Sequence, residues 1–297
     1  MSFRLLTYNI RHGGSGREEK LARVIRACAP DLVVLQEATA PASVERIAEL
    51  AGMEQWASRK GESLGFLARR KVTRHEWYKP RVSRHAFLEV VPVGWQLPVV
   101  GVHLSAVHAA WTERRRGYEL RALLQSIKAH EHGFHVLTGD FNTLAPGELL
   151  DPRKLPHRLR ALVWLSGGQV RWRTIQIVLD AGYSDIFRTL HADDPGYSFP
   201  TWDPHVRLDF VFAPRRHHCL VTRCEVVTIP EAADASDHFP VAADIQLDAL
   251  AAGLPGTDRL ERVDEHQDVE RQVVADRPRD EDLERGGERD HDPDPKS

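Results

Sequence analysis

The stretch His135-Val136-Leu137-Thr138-Gly139-Asp140-Phe141-Asn142 bears on fold and chemistry together. An apolar run of strand composition ends at a glycine, and an acid, an aromatic and an amide follow. Gly139 allows a tight exit from the strand, and the two-residue period of an extended chain turns Asp140 and Asn142 to the same side. A capped turn has the same composition, so the segment has to be weighed with others of its kind.

Working outward, four further places end an apolar run in polar chemistry. Thr7-Tyr8-Asn9-Ile10 puts an amide after a strand and before the loop Arg11-His12-Gly13-Gly14; alone, such an Asn is an ordinary turn residue. Leu32-Val33-Val34-Leu35-Gln36-Glu37 ends in a carboxylate, a hard oxygen donor suited to magnesium or manganese. In Val99-Val100-Gly101-Val102-His103-Leu104-Ser105 a histidine interrupts an apolar strand, which by itself fits a satisfied core residue. The last signal has two parts: Arg207-Leu208-Asp209 puts an acid inside a strand, and Ser236-Asp237-His238 puts an acid and a histidine just before the final one. A buried Asp209 needs a partner, and His238 would supply it, the carboxylate fixing the imidazole tautomer and favouring its protonated form. Each place alone has a structural explanation; their joint occurrence does not.

The framework between these places reads as α/β. Strands are expected at 3–8, 31–35, 98–103, 135–138, 208–212 and 240–247. Helices are expected at 18–27, where Leu21, Val24 and Ile25 share a face, at 112–131, where Leu120, Leu123, Leu124 and Ile127 do, and at 174–181. Residues 53–100 read as short strands broken by Gly61, Gly65, Pro80 and Gly94, a meander that makes the sheet mixed.

At 297 residues and 42% hydrophobic content the chain can bury a full core without staples. Cys28, Cys219 and Cys224 are odd in number and lack metal-ligand spacing, which argues against a disulfide framework or zinc site and for reduced thiols in a cytoplasmic protein. No leader pattern and no membrane-spanning run is expected. Residues 248–297 carry 16 acidic against 8 basic side chains, while the rest carries 32 basic against 27 acidic. The mildly basic body suits an anionic substrate without naming one. From 249 onward aromatics vanish, so 249–297 is expected to be a disordered acidic tail behind a catalytic domain at 1–248.

Taken in order, Tyr8-Asn9-Ile10, Leu35-Gln36-Glu37, Val102-His103-Leu104, Gly139-Asp140-Phe141-Asn142, Arg207-Leu208-Asp209 and Ser236-Asp237-His238 closely resemble the motifs of the endonuclease/exonuclease/phosphatase superfamily. The resemblance implies a four-layer α/β sandwich, two mixed and mostly antiparallel sheets packed face to face with flanking helices. It makes Glu37 the principal metal ligand, with Asn9 nearby and Asp237 acting directly or through water. His238, oriented by Asp209, would stabilise charge on the reacting phosphate, and His103 would bind another phosphate oxygen. Asp140, with Asn142 beside it, would position and deprotonate the attacking water. No covalent intermediate is called for, and magnesium is the first choice of metal, with manganese chemically close.

His103 sets the chain nearer deoxyribonuclease-like and lipid-phosphoesterase branches than apurinic endonucleases, which commonly carry tyrosine in that region. The expected activity is hydrolysis of a phosphodiester, with DNA or RNA ahead of other phosphate esters as substrate and no protein partner. An esterase acting on inositol phosphates or lipid head groups, and a catalytically dead binding module, stand as alternatives. Two basic segments could grip a polyanion or merely face solvent: Arg153, Lys154, His157, Arg158, Arg160, Arg171 and Arg173 with Trp164 and Trp172, and Trp111-Thr112-Glu113-Arg114-Arg115-Arg116.

Overall fold

Alternation along the strands decides what each face meets. In β1 (Ser2–Asn9), Leu6 and Tyr8 join an apolar layer with Leu21, Val24 and Ile25 of α1 (Glu18–Cys28), so Leu5, Thr7 and Asn9 point the other way. β2 (Leu32–Gln36) repeats the pattern, Val33 and Leu35 toward the helices and Leu32, Val34 and Gln36 away from them. β1 and β2 are parallel, a pairing that requires a crossover, and α1 supplies it. The structure is a computed structural model that describes residues 2–248, apart from 82, 95–96, 107–109, 131–132, 150 and 155–172.

The first sheet has the order β11-β12-β1-β2-β4-β3, with β3 at Gln55–Ser58, β4 at Leu64–Ala68, β11 at Val221–Val226 and β12 at Val241–Gln246. The second has the order β5-β6-β7-β8-β10-β9, with β5 at Val72–Tyr78, β6 at Phe87–Pro92, β7 at Val99–His103, β8 at Val136–Asp140, β9 at Tyr183–Asp185 and β10 at Asp209–Pro214. Each sheet contains one parallel pair, β1–β2 and β7–β8, and is otherwise antiparallel. In the second sheet the crossover is α3 (Ala110–His130), whose Leu120, Leu123 and Ile127 pack on Val100, Val102, Leu137, Phe210 and Phe212. Two further helices, α2 (Pro41–Ala51) and α4 (Thr174–Asp180), add Val44, Ile47 and Ala48 to the first outer layer and Ile175 and Val178 to the second. The remaining faces of the two sheets meet each other, completing the expected four layers. Gly101 makes that meeting close: a Cβ there would stand 2.7 Å from Cγ1 of Val34 in the opposite sheet.

The region read as one meander is divided between the sheets, β3 and β4 going to the first and β5 and β6 to the second. Gly65 does not break a strand. It lies within β4, where a side chain would meet the carbonyl of Ala57 at 2.9 Å and Cβ of Ala38 at 3.0 Å. Helix α2 stands beyond the expected elements, although Pro41 in its first turn and Gly52 as its left-handed cap mark its two ends. Two short helices, α5 (Ile186–Leu190) and α6 (Pro230–Ala235), and strands β9 and β11 also stand beyond the expected elements.

Arg207, fully buried, is a strut beneath the start of β10. Its guanidinium takes Asp185 with two bonds of 2.9 and 2.6 Å, donates Nε to Glu148 at 2.8 Å, and lies 4.4 Å from the Phe210 ring centre. Removing one member of such a buried charge group costs about 3–5 kcal/mol, because the others are left uncompensated. Among the described residues no helix is long and apolar enough to cross a membrane. The acidic tail at 249–297 and most of the basic segment at 153–173 lie outside the described residues.

Candidate active site

The two parallel pairs end together. Asn9 registers with Gln36 at the end of β1–β2, and His103 with Asp140 at the end of β7–β8. The antiparallel neighbours begin at the same end: Asp209 opens β10 opposite Asp140, and residues 236–238 lead into β12, whose Val241 faces Thr7. Asn9, His103, Asp140 and Asp209 all fall at inward-facing positions of their strands, where the inter-sheet core gives way to a cleft of about 520 Å³. Ligand sites at the carboxyl ends of strands follow the general rule for α/β sheets.

Backbone strain collects at this end. Of the five non-glycine residues with left-handed φ among the described residues, four lie in the loops around the cleft: Arg11 and His12 at 50°, Glu37 at 57° and Asn142 at 52°. Each such conformation costs roughly 1–2 kcal/mol for an L-residue and persists only when its surroundings hold it. Here Glu37 is held by its carbonyl, which accepts from Gly13 and Thr39 at 2.9 and 2.8 Å. Gly139, at φ 146°, has no alternative: a Cβ would fall 1.9 Å from the Val102 carbonyl oxygen.

Asp140 sits at the centre. Its Oδ1 accepts from the Asn142 backbone N–H at 2.8 Å and its Oδ2 from Asn9 Nδ2 at 3.0 Å, a bond that ties the two sheets together. Both His103 Nε2 and His238 Nε2 stand 3.8 Å from Oδ2, close enough for electrostatic attraction and too far for a hydrogen bond. Burial, with the nearby Asp209 charge adding to it, pushes the Asp140 carboxyl up to about 7 despite the opposing pull of His238.

The two histidines differ in their supports. His238 Nδ1 lies 2.8 Å from Asp209 Oδ2, which also accepts from Ser198 Oγ at 2.7 Å, while Asp209 Oδ1 is buried with no partner. Burial works against protonation of His238, but Asp209, Asp140 and Asp237 outweigh it and raise its pKa to about 10. His103 has no carboxylate behind it. Its Nδ1 pairs with the Ser63 hydroxyl and its ring stacks on His85 with centroids 4.9 Å apart and planes 8° apart. Burial, reinforced by His85, His238 and Arg84, holds His103 well below the ordinary imidazole pKa.

Glu37 and Asp237 line the more open side of the cleft. Glu37 Oε2 accepts from the His12 backbone at 2.6 Å and its Oε1 lies 3.4 Å from Asn9 Nδ2, while Asp237 Oδ2 faces Arg11 Nε at 3.4 Å. Asn9 joins them, its Oδ1 accepting from the Arg11 N–H at 3.0 Å and its backbone oxygen from Ser236 Oγ at 2.7 Å.

Two donor sets could therefore receive a cation. Asp140, Asp209 and His238 bring one potential ligand atom each within 4.8 Å of the others. However, an imidazole with a raised pKa offers no lone pair and Asp209 Oδ2 is spent on His238 and Ser198, so this set keeps only the buried oxygens of Asp140 and Asp209 Oδ1. Glu37, Asn9 and Asp237 offer only oxygen ligands, and side-chain exposures of 31% for Glu37 and 18% for Asp237 leave room for water, which fits a hard divalent ion.

All eight residues singled out from the sequence lie at this end of the sandwich. Those missed are Ser63, Ser198, His85 and Phe199, whose ring lies 4.7 Å from that of His238. They come from loops with no periodic signature, and no spacing in the sequence points to them.

A model of the Endonuclease/Exonuclease/phosphatase family matches residues 6–238, a span that holds every one of these eight. The chain belongs to that family, and with it to the hydrolytic phosphoesterases. No curated protein matches it in sequence. Among solved structures it is similar to an AP endonuclease from Archaeoglobus fulgidus, with 17% identity, TM-score 0.60, and 81% of this chain and 98% of that one covered. It is also similar to a variant of the 3' phosphatase NExo from Neisseria bound to product DNA hairpin, with 18% identity, TM-score 0.61 and coverage of 82% and 99%. D. rerio TDP2 complexed with single strand DNA product matches with 18% identity, TM-score 0.56 and coverage of 82% and 98%. At these identities the likeness is one of fold.

Proposed function

We propose that this enzyme is a divalent-metal-dependent phosphodiesterase acting on nucleic acid, with catalysis in residues 1–248 and magnesium as the preferred ion. The carrying observation is the arrangement around Asp140: a buried carboxylate between two imidazoles, one backed by a carboxylate and one by a hydroxyl. The DNA products bound by the Neisseria and D. rerio proteins support nucleic acid as the substrate class.

Asp140 takes a proton from the attacking water. A carboxyl raised to about 7 is matched to that task near neutral pH, and Asn9 and Asn142 hold it in place. His238, anchored through Nδ1 on Asp209, presents a charged Nε2–H to a phosphoryl oxygen as negative charge builds there. His103, with Ser63 at Nδ1, leaves Nε2 for a second phosphoryl oxygen and adds a dipole rather than a charge. Glu37 and Asn9, with Asp237, would hold the cation, which when bound supplies positive charge to the phosphoryl and leaving-group oxygens. The buried, unpaired thiols of Cys28 and Cys224 support a reducing compartment such as the cytoplasm.

The test is hydrolysis of single- and double-stranded DNA, RNA, phosphoinositides, sphingomyelin and small phosphate esters with magnesium, manganese or EDTA, beside His238→Ala. Cleavage of DNA or RNA that needs metal and is lost in the variant is the expected result. Turnover confined to lipid or inositol phosphates would replace the nucleic-acid assignment, and metal-independent turnover would overturn the mechanism.

A further inference from the structure

Helix α3 follows β7, so its first turns stand at the cleft end of the second sheet. Its buried face is unusually polar: Glu113 accepts from Arg116, Thr143 and Thr174, and Arg116, with no exposed surface, donates to the Ser105 carbonyl at 2.7 Å. These bonds fix the rotation of the helix. What then faces solvent is Trp111, Arg114, Arg115, Tyr118 and Arg121, at the i, i+3, i+4, i+7 and i+10 positions of one stripe about 15 Å long. Trp111 and Tyr118 are 59% and 63% exposed, although large aromatics gain by burial. Arg114 and Arg121 have no ion-pair partner among the described residues.

The stripe is tied to the cleft by Glu119. This buried carboxylate accepts from the Arg84 N–H at 2.9 Å and from Ser105 Oγ at 3.0 Å, and lies 3.4 Å from Arg115 Nε. Arg84, next to the His85 that stacks on His103, lines the cleft. Glu119 therefore joins the backbone of the cleft wall at Arg84 to Arg115 on the helix.

We infer that this face of α3 is a track for single-stranded nucleic acid flanking the scissile phosphate, with bases stacked on Trp111 and Tyr118 and phosphates on Arg114, Arg115 and Arg121. The inference rests on the nucleic-acid reading of the cleft and extends it to a strand preference. Two observations select this occupant. Aromatics interleaved with arginines are what a strand with unstacked bases requires, whereas paired bases in a duplex offer no free faces. An anionic membrane would call for aliphatic residues on the same face, and no Leu, Ile, Val or Phe is exposed between Trp111 and Gln125.

The experiment measures binding of the full chain, in EDTA, to a fluorescent single-stranded DNA of about 20 nucleotides, long enough to cover both the cleft and the stripe, to the same sequence as a duplex, and to phosphatidylserine vesicles. Trp111→Ala/Tyr118→Ala is expected to weaken single-strand binding at least about tenfold. Arg114→Ala/Arg121→Ala should lower the slope of log affinity against log salt by about 1.4, as two fewer phosphates are neutralised. Circular dichroism melting of both variants checks that the helix remains folded; should either be destabilised, Trp111→Phe/Tyr118→Phe is expected to keep single-strand binding and Arg114→Gln/Arg121→Gln to lower the salt slope by the same amount. Unchanged single-strand affinity in the alanine variants, tighter duplex binding, or binding to vesicles in place of DNA would each overturn the track. Absence of metal-dependent cleavage of any diester by the wild type would count against the proposed catalysis instead, since the binding result is read without turnover.

Discussion

The two sides of the cleft hold the same side chain in opposite states. On one, His238 leans on Asp209, and three carboxylates overcome burial to keep it protonated. On the other, His103 leans on a serine hydroxyl and a second imidazole, and burial keeps it neutral. An imidazole in a dry site takes its charge from what stands behind it, not from its own chemistry. The difference suits a phosphoryl group, which needs concentrated charge where negative charge develops and orientation elsewhere. It also spares Asp140 two full positive neighbours, which would depress its pKa and weaken it as a base.

The comparison can be broken most severely at its shared centre. Asp140→Ala or His238→Ala should lower kcat roughly a thousandfold or more, measured on whichever diester the wild type cleaves fastest. Next is the support of the charged side. Asp209→Asn keeps the shape but removes the charge that raises His238, so kcat should fall about a hundredfold. The sign of the pH effect follows from the direction of the shift: wild-type His238 stays protonated up to about pH 10, and in the variant the loss of activity on raising the pH should begin earlier.

The neutral side should tolerate more. His103→Ala is expected to cost about tenfold, and His103→Gln less, because an amide still donates without charge. Equal losses in the two variants would mean that charge, not orientation, is what His103 supplies. Smallest of all, the wild-type profile should rise with unit slope up to about pH 7 as Asp140 deprotonates and hold until His238 gives up its proton near 10. An acid limb at about 4, the ordinary carboxylate value, would mean that the base works without a raised pKa.

Strand ends were legible in the sequence because chemistry there interrupts a strong apolar pattern. Asn9, Glu37, His103 and Asp140 stand where a buried strand stops and Asp209 where one starts, and Gly139 marks the exit that a side chain would block. Register and pairing were less legible: nothing in residues 53–100 states that β4 joins one sheet and β5 the other. Gly65 misled because a glycine required by close strand packing looks the same as one required by a turn. The pairing of Asp209 with His238 was legible as a buried acid in need of a partner, but the serines that complete the two supports were not. Ser63 reaches His103 from 40 residues away and Ser198 reaches Asp209 across a loop, so only the folded chain shows that His103 rests on a hydroxyl rather than a carboxylate. Arg116, read together with its exposed neighbours as one basic run, is instead fully buried, and helical period separates it from Arg114 and Arg115.

The most direct measurement is an NMR titration of the imidazole nitrogens in the metal-free protein, with His238→Gln and His103→Gln to assign the two rings. His238 is expected to carry protons on both nitrogens at neutral pH and to keep them until the pH approaches about 10, with His103 neutral throughout. Both rings titrating together near the ordinary value of about 6.5, or a charged His103 beside a neutral His238, would contradict that expectation.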